Sequence, residues 1–408
     1  MTESAKKNRV PEDVMMDILI ALPIKSILRF RCLSKSWIPL ITDKDFINAY
    51  LAQAKPLLLL RRWQDRQELY SLHLDNESLD RSLQFQNLPF RSEAGCFDII
   101  GSCNGVVCLS DIDHHGRTKS LILWNPTIRK HLNLPLPKLC GPHSATWGFG
   151  FDLSSDDYKV VRVVRQVSSK REFPMEFQVF SLKRRIWERI NDSPTLGPFC
   201  VAPEACKNSG YCNQVAFNGI LHWLVYREEN DNRRHSFVLS FDLSNDKFGE
   251  IMLPERLARV DIFWMVISGF DDSLAVLFYR RDGAKSVDVW FMREYGVRNS
   301  WDRLYRIQVD GFTRGMVFRK NGEILMTKHG SDEVVSCNPR TQASRNFGNL
   351  GLRRCDHAEY FVQSLSLLNE SNEIDSRGKK KKQKGNVKLN SRSLGAEQVM
   401  EPGEGAGS

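Results

Sequence analysis

The chain has 408 residues, 41% of them hydrophobic, and a formal net charge of +9 at neutral pH. This length and composition predict a soluble globular protein with one small module and one large domain. No stretch approaches the roughly 20 consecutive apolar residues of a transmembrane helix, so we expect no membrane partner. The N-terminus lacks the pattern of a signal peptide, and we therefore expect the protein in the nucleus, the cytoplasm or both.

The positive charge is not concentrated in one region, since the first 50 residues carry eight basic and six acidic side chains. A nucleic-acid-binding face usually combines basic residues with aromatic ones, and no such stripe is visible, so we expect no nucleic-acid partner. The ten cysteines include no C-x-x-C pair. We therefore expect buried thiols, no metal site and no cofactor.

Residues 10–51 predict a module of three or four short helices, preceded by a flexible stretch at residues 1–9. Pro11 suits the first position of a helix, and Pro23 ends it. A second helix is expected from about Lys25 to Cys32. A third begins near a Ser34 cap, and Asp43 resembles the cap of a fourth.

The first predicted helix is apolar around most of its circumference. A module of about 40 residues has a core that covers only one face of such a helix, so the other apolar side chains should face a second surface. The sequence therefore predicts a docking element, although packing of this helix onto the large domain is an alternative. Its apolar residues are Val14, Met15, Met16, Ile18, Leu19, Ile20, Ala21 and Leu22.

The body of the chain repeats a pattern of strand, polar loop, strand, turn and strand. The residues that end equivalent strands are Leu74, Trp124, Phe180, Phe241, Phe291 and Cys337, with steps of 50, 56, 61, 50 and 46 residues. A period near 50 with several strands in each unit is typical of a β-propeller, whereas a β-sandwich, the alternative, has no reason to repeat at this length. The predicted fold is thus mainly β with a small α-helical N-terminal module.

We count six blades from the repeats, and seven or eight remain open because residues Asn191 to Gln214 could form a degenerate blade or a long loop. The last alternating stretch, Tyr360 to Leu368, could close the ring against the first blade. The propeller is therefore assigned to residues 52–368. Residues 369–408 are rich in Lys, Gly, Glu and Ser, which predicts a disordered tail.

Two parts of the sequence resemble known families. "VPEDVMMDILIALPIKSILRFRCLSKSW" from Val10 is similar to the F-box. The body resembles the plant F-box-associated interaction domain in "SCNGVVCL", "LWNPTIRKHLNLP", "GFGFDLSSDDYKVVRV", "NGILHWL", "SFDLSNDKFGEIMLP" and "WFMREYGVRNSWDRL". The departures from the F-box pattern are mild, for example Val10 where Leu is usual.

This resemblance implies a substrate-recognition subunit of an SCF-type, cullin-RING ubiquitin ligase with no catalytic centre of its own. The F-box would bind the Skp-family adaptor and, through it, the cullin and the RING protein. The propeller would hold an unidentified protein substrate for ubiquitination and degradation. Carried over from the F-box pattern, the adaptor contacts are Pro11, Ile18, Leu22, Pro23, Ile27 and Leu28, whereas Trp37 is expected in the core of the module.

Three other motifs have a chemical interpretation. "GSCNG" at residues 101–105 has the form of a nucleophile elbow, but a strand follows it where that motif requires a helix. The pair His114 and His115 is interpreted as an exposed hairpin tip, and Trp223 and Trp290 as blade core. A possible nuclear import signal is the run of Lys379, Lys380, Lys381, Lys382 and Lys384.

Two alternatives to the ligase subunit remain open. A propeller enzyme would need convergent Asp, Glu, His or metal ligands in several blades, and the repeats show none in register. A propeller scaffold unconnected to a ligase explains the body equally well. It leaves the excess apolar surface of the first helix unexplained.

Overall fold

The computed structural model describes most of the chain between residues 11 and 370. Not described are residues 1–10, 34, 36, 65–66, 86–87, 94, 114–116, 138–142, 167–174, 191–198, 202–213, 229–232, 271–272, 281–285, 310–311, 329–332, 349–352 and 371–408. The predicted Ser34 cap, the His114 and His115 pair and the lysine run at 379–384 therefore lie outside the described residues.

The N-terminal module contains four helices: α1 (Glu12–Ile20), α2 (Ile24–Leu33), α3 (Trp37–Ile41) and α4 (Lys44–Gln53). Pro11 is the N-cap of α1, with φ −51° and ψ 147°, and not its first helical residue as predicted. Pro23 lies between α1 and α2, where its missing N–H and fixed φ favour a break. Asp43 caps α4 as expected, because its carboxylate accepts hydrogen bonds from the backbone N–H groups of Asp45 and Phe46.

The body is a propeller of six antiparallel sheets, which we name blades 1 to 6. From the axis outward the strands are, in blade 1, β25 (Arg353–Val362), β1 (Pro56–Gln64), β2 (Gln67–His73) and β3 (Arg81–Phe85); in blade 2, β4 (Asp98–Cys103), β5 (Val106–Ile112), β6 (Thr118–Asn125) and β7 (Lys130–Asn133); in blade 3, β8 (His143–Asp152), β9 (Asp157–Gln166), β10 (Met175–Ser181) and β11 (Ile186–Ile190).

The other half of the ring has the same plan. In blade 4, β12 (Cys200–Val201) and β13 (Gln214–Phe217) precede β14 (Ile220–Glu228), β15 (Arg234–Asp242) and β16 (Lys247–Met252); blade 5 has β17 (Met265–Phe270), β18 (Ser273–Tyr279), β19 (Ser286–Met292) and β20 (Trp301–Gln308); blade 6 has β21 (Phe312–Phe318), β22 (Ile324–Lys328), β23 (Val334–Cys337) and β24 (Ser344–Asn346). A short helix, α5 (Glu255–Ala258), and two 3₁₀ turns at Ile262–Trp264 and Arg298–Ser300 lie between strands.

In the stretch predicted as a possible degenerate blade, the strand residues that the structure describes, Cys200–Val201 and Gln214, belong to blade 4. Both β12 and β13 pair with β14, so they occupy one position next to the axis, separated by residues outside the described part. Six blades account for the described strands, as counted from the repeats. The repeat anchors from Trp124 to Cys337 lie on the third strand of their blades, and Leu74 directly follows the third strand of blade 1.

The ring is closed within blade 1 by strands from both ends of the propeller domain. β25 pairs antiparallel with β1, with Leu57 opposite Phe361, so the last strand completes a sheet begun by the first three. A closing strand was predicted, but it spans Arg353–Val362 and not Tyr360 to Leu368. The residues after Val362 leave the sheet and pack between the helical module and the propeller.

Neighbouring blades bury their faces against each other and are joined by indole hydrogen bonds. The indole nitrogen Nε1 of Trp187 donates to the Pro135 carbonyl at 2.6 Å, which joins blade 3 to blade 2. The same atom of Trp223 donates to the Trp147 carbonyl at 3.0 Å, which joins blade 4 to blade 3. Trp223 and Trp290 are buried, as predicted for blade core. Trp187 and Trp223 thus contribute a large apolar surface and also satisfy their single donor across a blade boundary.

Candidate functional site

The core of the helical module forms where its four helices meet. Fully or almost fully buried in it are Leu19, Ile20, Ile24, Ile27, Ile41 and Phe46. Trp37 packs half-buried against this core, with its ring centroid 5.5 Å from that of Phe30. Its predicted place in the core of the module is therefore confirmed.

One face of α1 is left uncovered. Val14 is 43% exposed and Ile18 is 54% exposed. The two residues are four positions apart, so their side chains lie one above the other on the helix surface. Asp13 and Asp17 are exposed beside them. The uncovered face, which we call the α1 face, is therefore an apolar pair flanked by two carboxylates.

The α1 face is smaller than the sequence suggested, because Met15 and Met16 are half-buried and only two apolar side chains of α1 are largely exposed. Leu33, at the end of α2, is 76% exposed and adds a third apolar side chain to the module's surface. The excess apolar residues are thus divided between the module's own core and its surface.

The six residues expected to contact an adaptor fall into three groups. Pro11, Ile18 and Pro23 are exposed, and Leu22 and Leu28 are half-buried against the core of the module. Ile27 is fully buried. Its assignment is therefore corrected, because a side chain with no exposed surface cannot contact another protein in this conformation. The adaptor contact of the other five stays a prediction.

The opposite side of the module rests on the propeller. Leu365 and Leu368, which follow the last strand, are buried in the same core as the helices, and Ile128 of blade 2 packs against it. Lys44 forms an ion pair with Asp156 of blade 3 at 2.5 Å. The amide nitrogen Nδ2 of Asn369 donates to the Thr42 carbonyl at 2.7 Å. Bonded structure thus continues past the predicted start of the tail at residue 369.

Sequence reasoning missed this contact between the module and the C-terminal end of the propeller domain. The alternation in "SLSLL" at residues 364–368 was interpreted as strand, because a two-residue period cannot distinguish a strand from an irregular segment held between two cores. The signal that could have identified it is the density of leucine next to a polar tail.

The candidate nucleophile Cys103 does not have the geometry of an elbow. It ends β4, and β5 follows after the Asn104 and Gly105 turn, so a hairpin stands where a helix would be needed. Burial raises the pKa of the Cys103 thiol to about 12, with a smaller contribution from Glu359. The thiol is therefore protonated at neutral pH and is a poor nucleophile.

Among the residues that the structure describes, no three His, Cys, Asp or Glu side chains are arranged to hold a metal ion. Within that same part of the chain, no helix has the length and hydropathy needed to cross a bilayer.

Comparison with known proteins agrees with this architecture. Residues 8–48 match the F-box domain, and residues 61–361 match the F-box associated beta propeller domain. The F-box protein CPR1 of Arabidopsis thaliana is 31% identical over 384 residues, which cover 88% of this chain and 89% of that protein. The F-box/kelch-repeat protein At3g23880 of the same plant is 29% identical, covering 75% of this chain and 81% of that protein.

The chain therefore belongs to the plant F-box proteins that carry an F-box-associated β-propeller domain. The resemblance inferred from the sequence is confirmed, both for the helical module and for the propeller. An F-box joined to a propeller suggests a substrate receptor of the SCF type, and F-box proteins are generally substrate adaptors that are not themselves catalytic.

Proposed function

We propose that this protein is the substrate-recognition subunit of an SCF-type ubiquitin ligase. The α1 face, together with the exposed Pro11 and Pro23, binds the Skp-family adaptor and, through it, the cullin and the RING protein. The propeller holds a target protein, which is ubiquitinated by the assembly and then degraded. The protein supplies no catalytic group, and it acts by raising the concentration of target lysines near the conjugating enzyme.

The observation that carries this proposal is the exposure of Val14 and Ile18 on a module whose other large apolar residues are mostly covered. Burying an apolar side chain contributes roughly 1.5 to 3 kcal/mol, so leaving two of them in water on a short helix is a cost that a partner would remove. The position of this pair within a matched F-box supports the Skp-family adaptor as that partner.

The propeller surface is proposed as the substrate-binding element for a topological reason. The module contacts blades 2 and 3 through Ile128 and Asp156, which lie in turns on one face of the ring. The same strands also end at the opposite face of the ring, away from the module, and we propose that face as the surface that binds a large partner. Turns tolerate changes that the strands of the ring do not, which suits a surface selected for specificity.

The test is a pair of charged substitutions. The double variant Val14→Asp and Ile18→Asp should weaken co-purification with the Skp-family adaptor by at least about 30-fold, since about 2 kcal/mol or more of apolar burial is replaced by buried carboxylates. The matched control is Leu304→Asp, at a propeller position that is 44% exposed. Both proteins should keep the same unfolding temperature within a few degrees.

Undiminished adaptor binding by the double variant would overturn the proposed interface. A separate outcome, in which the wild-type chain co-purifies with no cullin, would support the alternative of a propeller scaffold unconnected to a ligase. If the adaptor is lost as expected, the same double variant can be used for proximity labelling in plant cells, because targets that are captured but not ubiquitinated should persist. We also propose that the protein is located in the nucleus, the cytoplasm or both. Imaging of a variant that lacks residues 377–392 tests whether the lysine run directs nuclear import.

A further inference from the structure

The residues that follow the closing strand lie between the module and the propeller, and we call residues 364–370 the C-terminal segment. Leu365 and Leu368 are buried in the core of the helical module. Leu367, between them, is buried in the core shared by blades 2 and 3, where it joins Trp147 and Phe149. Successive leucines of one segment are thus enclosed by two different cores.

Asn125, the last residue of β6 in blade 2, fixes this segment. Its side chain is fully buried. The amide nitrogen Nδ2 donates to the carbonyl oxygens of Ser364 at 3.0 Å and Ser366 at 2.9 Å. Its carbonyl oxygen Oδ1 accepts from the backbone N–H of Thr127 at 3.0 Å and so closes a local turn. One buried amide therefore joins a turn of blade 2 to two peptide groups of the segment.

The covalent link between the module and the propeller is short. Only residues 54 and 55 separate the end of α4 from the start of β1. A link of this length restricts the distance between the module and blade 1, but it leaves rotation about several backbone bonds. The rotational position must then be set by packing and bonding, and the C-terminal segment supplies both.

We infer that Asn125 is a positioning residue, which holds the C-terminal segment and through it sets the orientation of the F-box on the propeller. The segment continues directly from β25, the strand that closes the ring. Closure of the ring and placement of the F-box are therefore accomplished by one continuous stretch, and a chain with an open ring cannot hold the F-box in the same place. The consequence for ubiquitination rests on the proposed function, because a fixed F-box gives a fixed direction from adaptor to substrate.

The chain offers a matched pair of substitutions for the test. Asn125→Asp keeps an oxygen for the Thr127 N–H. It removes the hydrogen bonds that Nδ2 donates to the carbonyls of Ser364 and Ser366 and to the Ser364 hydroxyl, and it places a carboxylate against the two carbonyl groups. Asn338 forms the equivalent turn in blade 6, where its Oδ1 accepts from the N–H groups of Arg340 at 3.0 Å and Thr341 at 3.1 Å. Among the described residues its amide nitrogen bonds to no other segment. Asn338→Asp is therefore the control.

The readout is the distance distribution between spin labels on the full chain, introduced at the exposed Lys25 in α2 and at Arg293, which follows β19 in blade 5. The distribution should be narrow in the wild type and in Asn338→Asp, and at least twice as wide in Asn125→Asp. Amide hydrogen exchange in the C-terminal segment and in α4 should accelerate at least tenfold in Asn125→Asp, with the strands of blades 4 and 5 unchanged.

Affinity for the Skp-family adaptor should differ by less than twofold among the three proteins, because the α1 face is unaltered. If Asn125→Asp folds poorly, chains ending at residue 362 and at residue 370 replace it, and only the shorter one should lose the narrow distribution. Equal distributions in the two Asp variants, or in the two truncated chains, would overturn the inference. Failure of the proposed function would instead appear as loss of adaptor binding in the wild type, with the distances unaffected.

Discussion

His73 is the last residue of β2 and is almost completely buried. Its Nδ1 lies 2.7 Å from the Leu79 carbonyl, so this nitrogen carries the proton. Its Nε2 lies 2.9 Å from the Ser71 hydroxyl, which also accepts a hydrogen bond from Arg62. In the neutral ring with Nδ1 protonated, Nε2 is the acceptor, and the Ser71 hydroxyl donates its proton to it.

Burial, opposed in part by the bond to Leu79 and assisted by Arg62, lowers the pKa of His73 to about 4. The unfolded chain binds this proton with an ordinary pKa near 6.5, so the folded protein loses stability as the pH falls from about 6.5 towards 4. We expect His73→Gln to remove up to about 3 kcal/mol of this decrease. Urea unfolding at pH 7.5 and pH 4.5 for the variant and the wild type measures it.

The prediction concerns the difference between the free energies of unfolding at pH 7.5 and at pH 4.5. Loss of the Ser71 and Leu79 contacts will lower the stability of the variant at both pH values and so does not affect this difference. His222, whose pKa burial also lowers to about 4, provides an independent second site. His222→Gln should flatten the pH dependence by a similar amount, and the two effects should add because the residues lie in blades 1 and 4. If the free energy of unfolding of both variants depended on pH as it does in the wild type, the two buried histidines would not be the source of this pH dependence.

Gly105 and Gly219 form a natural matched pair in the turns that start the second strand of blades 2 and 4. Each follows an asparagine with positive φ, and their own φ values are +77° and +73°. A Cβ on Gly219 meets nothing within 4 Å, whereas one on Gly105 lies 2.2 Å from the Ser364 hydroxyl and 2.7 Å from the Val362 carbonyl. Only Gly105 is therefore constrained by the C-terminal segment.

Replacement of either glycine by alanine should cost about 1 kcal/mol for the left-handed backbone conformation. Gly105→Ala should cost at least about 1 to 3 kcal/mol more, because the segment must move or the turn must distort. Thermal unfolding of both variants measures the difference. Equal unfolding temperatures would show that the segment does not pack closely against the turn.

At the scale of single elements, the sequence predicted most where local chemistry decides the structure. Asp43 capped its helix as expected, and Pro23 separated two helices, because both effects depend on a few neighbouring atoms. The third strands of the blades followed the period of their apolar residues. The Asn-Gly turns joined strands because asparagine and glycine accept positive φ.

Elements whose role depends on distant partners were predicted less well. Ile27 matched a family pattern, but only the packed module shows that its side chain is enclosed by the core. Residues 364–368 alternate like a strand, yet their backbone bonds to Asn125, more than 200 residues earlier in the chain. No local pattern reports such a pairing, so both the extent of β25 and the attachment of the F-box had to come from the three-dimensional arrangement.

At the scale of the whole molecule, the ring depends on the junction between its last and first blades. Arg319 of blade 6 is 2% exposed, and its Nε donates to Asp75 of blade 1 at 2.8 Å. Tyr360 of the closing strand donates to the same carboxylate at 2.5 Å. Burial alone would raise the pKa of Asp75, but the bonds from Tyr360 and Arg319 outweigh it and lower the pKa. The carboxylate is therefore ionised and depends on these donors.

Arg319→Ala should cost about 3 to 5 kcal/mol, because it leaves a buried carboxylate without its cation across the junction. The matched control is Arg345→Ala. Arg345 also joins blade 6 to blade 1, through Glu77 at 3.4 Å, but these side chains are 50% and 89% exposed. An exposed pair of this kind contributes about 0 to 1 kcal/mol, so the control should lie close to the wild type in urea unfolding followed by tryptophan fluorescence.

The two variants also separate closure of the ring from general stability. Hydrogen exchange in Arg319→Ala should accelerate first in β25 and β1 and in the C-terminal segment, since that segment continues from the closing strand, and last in blades 3 and 4. Uniform acceleration in all six blades would mean that the ring unfolds as one unit and that the junction is not its weakest point. Equal costs for Arg319→Ala and Arg345→Ala would contradict the buried ion pair as the element that holds the ring closed.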